Sequence, residues 1–132
     1  MTTAFEVRSN RGSDALSIVA ESHEYWRASI ACGNLNSVVR FYEPELSSLG
    51  AYFAELAESW TGWAGDKAWS SLEGELRLTA VHDGLGTVGL LTRLRAGPWE
   101  FRSPRWLAEA QLLLDAGGLD ALAQAAARLT RA

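Results

Sequence analysis

From Phe5 to Tyr42, apolar side chains recur at every second position and clusters of turn-forming residues separate the runs, a pattern that predicts strands. Phe5 and Val7 form a short first run. Asn10-Arg11-Gly12-Ser13-Asp14 is turn chemistry, after which Leu16, Ile18 and Ala20 alternate with Ser17, Val19 and Glu21. Trp26, Ala28, Ile30 and Cys32 keep the same period up to Gly33-Asn34, and a further run from Val38 to Tyr42 stops at Pro44. An antiparallel meander is the simplest arrangement of these runs.

The period changes at Glu45. Leu46, Leu49, Tyr52, Phe53 and Leu56 fall three or four apart and share one face of a helix, with Pro44 suited to its first turn and Gly50 permitting close packing against a sheet. The stretch from Trp60 to Trp69 holds two glycines and no sustained period, so it is expected to be an ordered loop. Leu76, Leu78 and Ala80 then alternate with Glu75, Arg77 and Thr79. His82-Asp83-Gly84-Leu85-Gly86 supplies a hairpin turn into a strand from Thr87 to Arg95. Trp99 and Phe101 begin another strand before Ser103-Pro104. A last strand is expected from Trp106 to Leu114, with a helix over Leu107 to Leu113 as its rival, because Ala and Leu favour helices. Asp115 is placed to cap a final helix whose apolar face is Leu119, Leu122, Ala123, Ala126 and Leu129. The expected fold is α+β, a curved antiparallel sheet of about six to seven strands with a central and a C-terminal helix on one face.

Composition leaves that picture in place and narrows the function. A chain of 132 residues, 48% hydrophobic and 21% charged, suits one globular domain spanning residues 1–132. Twelve basic against 16 acidic residues give a formal charge of −4, and no run of the sequence is basic, so nucleic acid is not an expected partner. The longest apolar runs fall far short of the roughly twenty residues that cross a bilayer, and no membrane association is expected. The N-terminal segment lacks the pattern of a secretory signal, and Cys32 stands alone, which together suggest a cytoplasmic setting.

Candidate chemistry is sparse. His23 and His82 are the two histidines, and neither adjoins a nucleophile motif; Cys32 lies on an alternating apolar run and reads as a small core residue. His23-Glu24 with His82-Asp83 is the one pairing that could approach a metal set, and its bland reading is surface turn residues. The carboxylates at Glu43 and Glu45, Glu55 and Glu58, and Glu73 and Glu75 read as solvated faces. The Gly84-x-Gly86-x-x-Gly89 spacing opens a strand where a dinucleotide site needs a helix, so it is set aside. No catalytic residue, metal ligand or cofactor is assigned.

Six tryptophans are the compositional oddity, and Trp60, Trp63 and Trp69 crowd one segment. Such residues either roof a small core or anchor an interface. Trp63, Asp66, Lys67 and Trp69 are taken as the candidate binding residues.

The segment Phe53-Ala-Glu-Leu-Ala-Glu-Ser-Trp-Thr-Gly-Trp-Ala-Gly-Asp-Lys-Ala-Trp-Ser-Ser-Leu-Glu-Gly-Glu-Leu-Arg-Leu-Thr-Ala resembles the central signature of a domain-of-unknown-function family of small actinobacterial proteins, family 6228. The Gly86-x-Val88-x-Leu90 strand and the helix after Asp115 extend the likeness over Val38 to Leu129. More distantly, the layout is similar to that of immunity proteins paired with polymorphic toxins. That likeness implies binding and blocking of a toxin and transfers no inhibitory residue. The leading expectation is therefore a non-catalytic protein-binding domain of immunity type, whose partner is a toxin-like protein or a second copy in a homodimer. The alternative is a small-molecule binder or small enzyme with a tryptophan-lined pocket on the concave sheet.

Overall fold

The computed structural model describes residues 4–96 and 105–130. The alternating first half forms β1 (Ala4–Arg8), β2 (Ala15–Ser22), β3 (Tyr25–Cys32) and β4 (Leu35–Tyr42), an antiparallel meander in chain order. Strand period 2 puts Phe5, Val7, Leu16, Ile18, Trp26, Ala28, Ile30, Val39 and Phe41 on one face, and all are buried.

Helix α1 (Ser47–Glu58) follows, with Leu49, Tyr52, Phe53 and Leu56 buried and Leu46 packed just ahead of it. It begins later than Glu45 because residues 44–46 form a turn, and Pro44 lies outside the helix. The Glu45 N–H is claimed by the Glu43 carboxylate at 3.0 Å.

A second meander, β5 (Asp66–Ser70), β6 (Leu76–His82), β7 (Thr87–Ala96) and β8 (Trp106–Asp115), forms its own four-stranded antiparallel sheet. A short 3-10 turn, Ala116–Gly118, leads into α2 (Leu119–Thr130). Helices α1 and α2 pack on each other, α2 approaches β1, and both sheets and both helices contribute to one continuous core.

The architecture departs from the expected single sheet of six to seven strands: the eight strands among the described residues lie in two four-stranded sheets. The chain leaves the first sheet through α1 and β5 pairs with β6, so β4 and β5 never join. Among the described residues, the chain just past β1 meets the edge of β8. There the Leu113 carbonyl accepts the Asn10 N–H at 2.7 Å, and the Leu113 N–H donates to Ser9 Oγ at 3.1 Å.

Two further expectations need correction. Strand β5 lies inside the segment read as a loop; only Lys67 and Trp69 turn inward along its five residues, too few for a visible period. Asp115 precedes the 3-10 turn without capping it, and its Oδ1 accepts the Asn10 side-chain amide at 2.9 Å instead. Trp106–Asp115 is a strand, as expected over its helical rival: Ala108, Ala110, Leu112 and Leu114 are buried at every second position. The strand expected at Trp99 and Phe101 lies outside the described residues. Four strands followed by a helix occur twice, a repeat of elements that the sequence itself does not display.

Candidate protein-contact face

The α1–β5 connection and the β6–β7 turn are fastened to the same side chain. His82 closes β6 and is buried; its Nδ1 accepts the Gly84 N–H at 2.8 Å, which leaves the proton on Nε2 to donate to the Trp60 carbonyl at 2.8 Å. One neutral imidazole thus ties the tip of the turn to the segment after α1. Gly62 takes φ 145°, a conformation that favours glycine, and a Cβ there would lie 3.8 Å from the same ring.

Asp83 fixes the rest of the turn, accepting the Leu85 N–H at 2.6 Å and the Thr87 N–H at 3.0 Å. The backbone donors of Thr87 and then Leu85 hold its carboxyl below the ordinary aspartate value. A carboxylate with a depressed folded-state pKa contributes stability that is present above the unfolded value, near 3.8, and lost as pH falls through the folded one. Asp83→Asn is therefore expected to lower the unfolding temperature at neutral pH, with the gap from wild type closing as pH falls below that value. A gap that stays constant into acid would contradict this role.

Two large apolar side chains project from these anchored segments: Trp60 is 53% exposed and Leu85 is 89% exposed. Trp60 also borders a cleft of about 140 Å³ with Ala57, Ala116, Gly117 and Asp120. The Ala116 N–H donates to the Gly86 carbonyl at 2.9 Å, drawing the 3-10 turn to the same end of the molecule. Exposed carboxylates rim the area: Glu58 and Asp120 beside Trp60, Asp83 beside Leu85, and Asp66 opposite the half-exposed Val81.

The four residues singled out from sequence fall beside this face in different states. Trp63 is half-buried, its Nε1 donates to the Ala80 carbonyl at 3.3 Å, and its ring meets His82 edge-on with centroids 5.1 Å apart. Lys67 Nζ pairs with Glu55 at 2.9 Å and lies 5.8 Å from the Trp63 ring centre. Asp66 is exposed. Trp69 is 8% exposed and donates to Ser48 Oγ at 2.9 Å, so it roofs the core under α1. Burial pushes the Tyr52 hydroxyl up, with a smaller contribution from Glu55, and keeps it a donor to the Lys67 carbonyl at 2.9 Å. Trp60 and Leu85 are the exposed apolar residues of this face that sequence reasoning did not single out. Leu85, an apolar residue at a hairpin tip between two glycines, was the available signal.

The other candidate chemistry disperses. His23 is exposed next to Glu24, away from the buried His82, and among the described residues no three His, Cys, Asp or Glu side chains gather as a metal site. Burial pushes the Cys32 thiol up, and Asp14 adds to the shift. Two carboxylates expected on solvated faces are buried: Glu43, and Glu75, which accepts the Ser71 hydroxyl at 3.0 Å. A groove of about 370 Å³ lies between β1 and α2, lined by Glu6, Arg8, Asn10, Asp115 and Leu122 among others and by no tryptophan. On the outer face of β6 and β7, Arg77 stands directly opposite Arg93, a basic juxtaposition that their separation in the sequence conceals. Among the described residues no helix is long and apolar enough to cross a membrane.

The model of a family of unknown function, DUF6228, matches residues 13–132, and the chain belongs to that family. The match reaches further toward the N-terminus than the segment that carried the resemblance. No curated protein matches the chain.

Proposed function

We propose that the chain is a non-catalytic binding protein that docks a basic protein partner on the face built around Trp60 and Leu85. The observation that carries this reading is the exposure of those two side chains on segments locked together through His82. Large apolar anchors surrounded by a polar rim supply most of the energy of a protein interface, and anchors held in place before binding lose little entropy. The carboxylates around them, with an overall charge of −4, favour a cationic partner and speed its approach. Neutralisation of a toxin, the role suggested by the likeness to immunity proteins, is the biological form we assign to this binding.

The test is direct calorimetry with purified products of the adjacent reading frames. At least one is expected to bind, more weakly as salt rises, and Leu85→Asp is expected to weaken it roughly tenfold or more while leaving the unfolding temperature unchanged. Absence of binding by every such product, or a Leu85→Asp variant that binds like wild type, would overturn the proposal.

A further inference from the structure

Among the described residues, the free edge of β8 lacks the features that keep sheet edges from pairing. The Ala116 N–H bonds the Gly86 carbonyl in the register that sets Asp115 opposite Thr87. Antiparallel pairs alternate between bonded and non-bonded, so even-numbered β8 residues bond β7 and odd-numbered ones turn their N–H and C=O groups outward. Leu113 confirms this parity, since its outward groups are the ones that meet Ser9 and Asn10. Below it Leu107, Glu109 and Gln111 present the same groups, and among the described strands only β7 pairs with β8.

Natural edges are blunted by free charges, proline, bulges or a covering element. Edge strand β5 is crossed by the Tyr52 hydroxyl, and β1 lies beside α2 across a shared groove. Strand β8 is ten residues long and regular in register from Trp106 to Asp115, without an internal proline. Of its two charged side chains, Asp115 accepts the Asn10 amide and Glu109 pairs with Arg93 at 2.8 Å, and Leu107 is 55% exposed.

We infer that this edge pairs with the same edge of a second copy, antiparallel about a two-fold axis at Ala108. Of the centres from Leu107 to Ala110, the one at Leu107 sets Gln111 opposite residue 103, outside the described residues, and chemistry separates the other three. An axis at Glu109 would set two glutamates opposite each other, and one at Ala110 would need Leu113, whose groups are already taken. The axis at Ala108 sets Leu107 opposite Glu109 of the second copy and Arg105 opposite its Gln111. Arg105, exposed and without an ion pair among the described residues, then lies diagonal to Glu109 of the second copy, within reach of a long side chain, and the symmetry repeats the contact. The two four-stranded sheets become one of eight strands. This surface is separate from the Trp60–Leu85 face, so the inference goes beyond the proposed function.

Sedimentation across a micromolar concentration series should show a dimer that Leu107→Glu weakens roughly tenfold by placing like charges opposite each other twice, with no change in the monomer's circular dichroism. The two Ala108 residues form a non-bonded pair with Cα atoms about 4.5 Å apart, inside disulfide reach. In a Cys32→Ser background, Ala108→Cys should therefore cross-link on oxidation and Ala110→Cys should not. A monomeric wild type, or a dimer that Ala108→Cys fails to cross-link and Leu107→Glu fails to weaken, would overturn the inference.

Discussion

Replacing Glu43 by alanine is expected to lower the unfolding free energy by about 2–4 kcal/mol, because it strips a buried carboxylate from two backbone donors. Glu43 is 6% exposed. Its Oε1 accepts the Leu72 N–H at 2.7 Å in the β5–β6 turn, and its Oε2 accepts the Glu45 N–H at the approach to α1. Its own backbone N–H donates to the Glu24 carbonyl at 2.9 Å, and its carbonyl accepts Trp26 Nε1 at 3.2 Å. One residue therefore holds the end of β4, the start of α1 and the far sheet together. Among the described residues it has no cation partner, and two backbone N–H groups hold its side chain. Alanine leaves those donors short of an acceptor and opens space beside Trp26. Glutamine keeps the volume and one acceptor, and should cost less than half as much. Denaturant titration of the three proteins checks both statements; an alanine variant within about 0.5 kcal/mol of wild type would contradict the first.

How much of this was legible in the sequence follows from what periodicity records. It records which face of an element is buried, and it placed the inward residues of β1 to β3, the face of α1 and the β6–β7 hairpin correctly, while for β4 it marked a run from Val38 without its inward side. It does not record which edges join, because a strand reads the same in one sheet as in two. The division into two sheets depends on α1 carrying the chain away after β4 and on the contact of Ser9 and Asn10 with Leu113, more than a hundred positions away. Strand β5 was invisible because its five residues are bracketed by Gly65 and the turn after Ser70.

The candidate site was legible only in its neighbourhood. The crowding of Trp60, Trp63 and Trp69 drew attention to the right segment, but composition cannot separate a tryptophan that roofs the core from one that faces solvent. Hydrogen-bond partners make that separation: Trp63 and Trp69 have theirs inside the fold, while Trp60 is held through its backbone and leaves its ring outside. His82 was read as a turn residue, which is its position along the chain. Its burial and its two backbone partners come from segments that meet only in the folded molecule.

Those two partners make His82 the residue whose loss should affect both stability and binding. Phenylalanine at this position keeps a flat ring and removes both hydrogen bonds, so His82→Phe is expected to cost about 1–3 kcal/mol and to release Trp60 from its fixed placement. The contributions can be separated. A glutamine amide can reach the Trp60 carbonyl as Nε2 does, whereas an asparagine oxygen stands near Nδ1 and can accept from Gly84. His82→Gln should therefore preserve Trp60 fluorescence and speed amide exchange at Gly84, and His82→Asn should do the reverse. Partner binding should follow the order of the Trp60 segment, so His82→Asn and His82→Phe lose affinity even where Leu85 is untouched, unlike Leu85→Asp, which loses affinity at full stability. If His82→Phe unfolds like wild type and leaves Trp60 emission unchanged, the imidazole is not what holds the two segments together, and the preorganised face loses its physical basis.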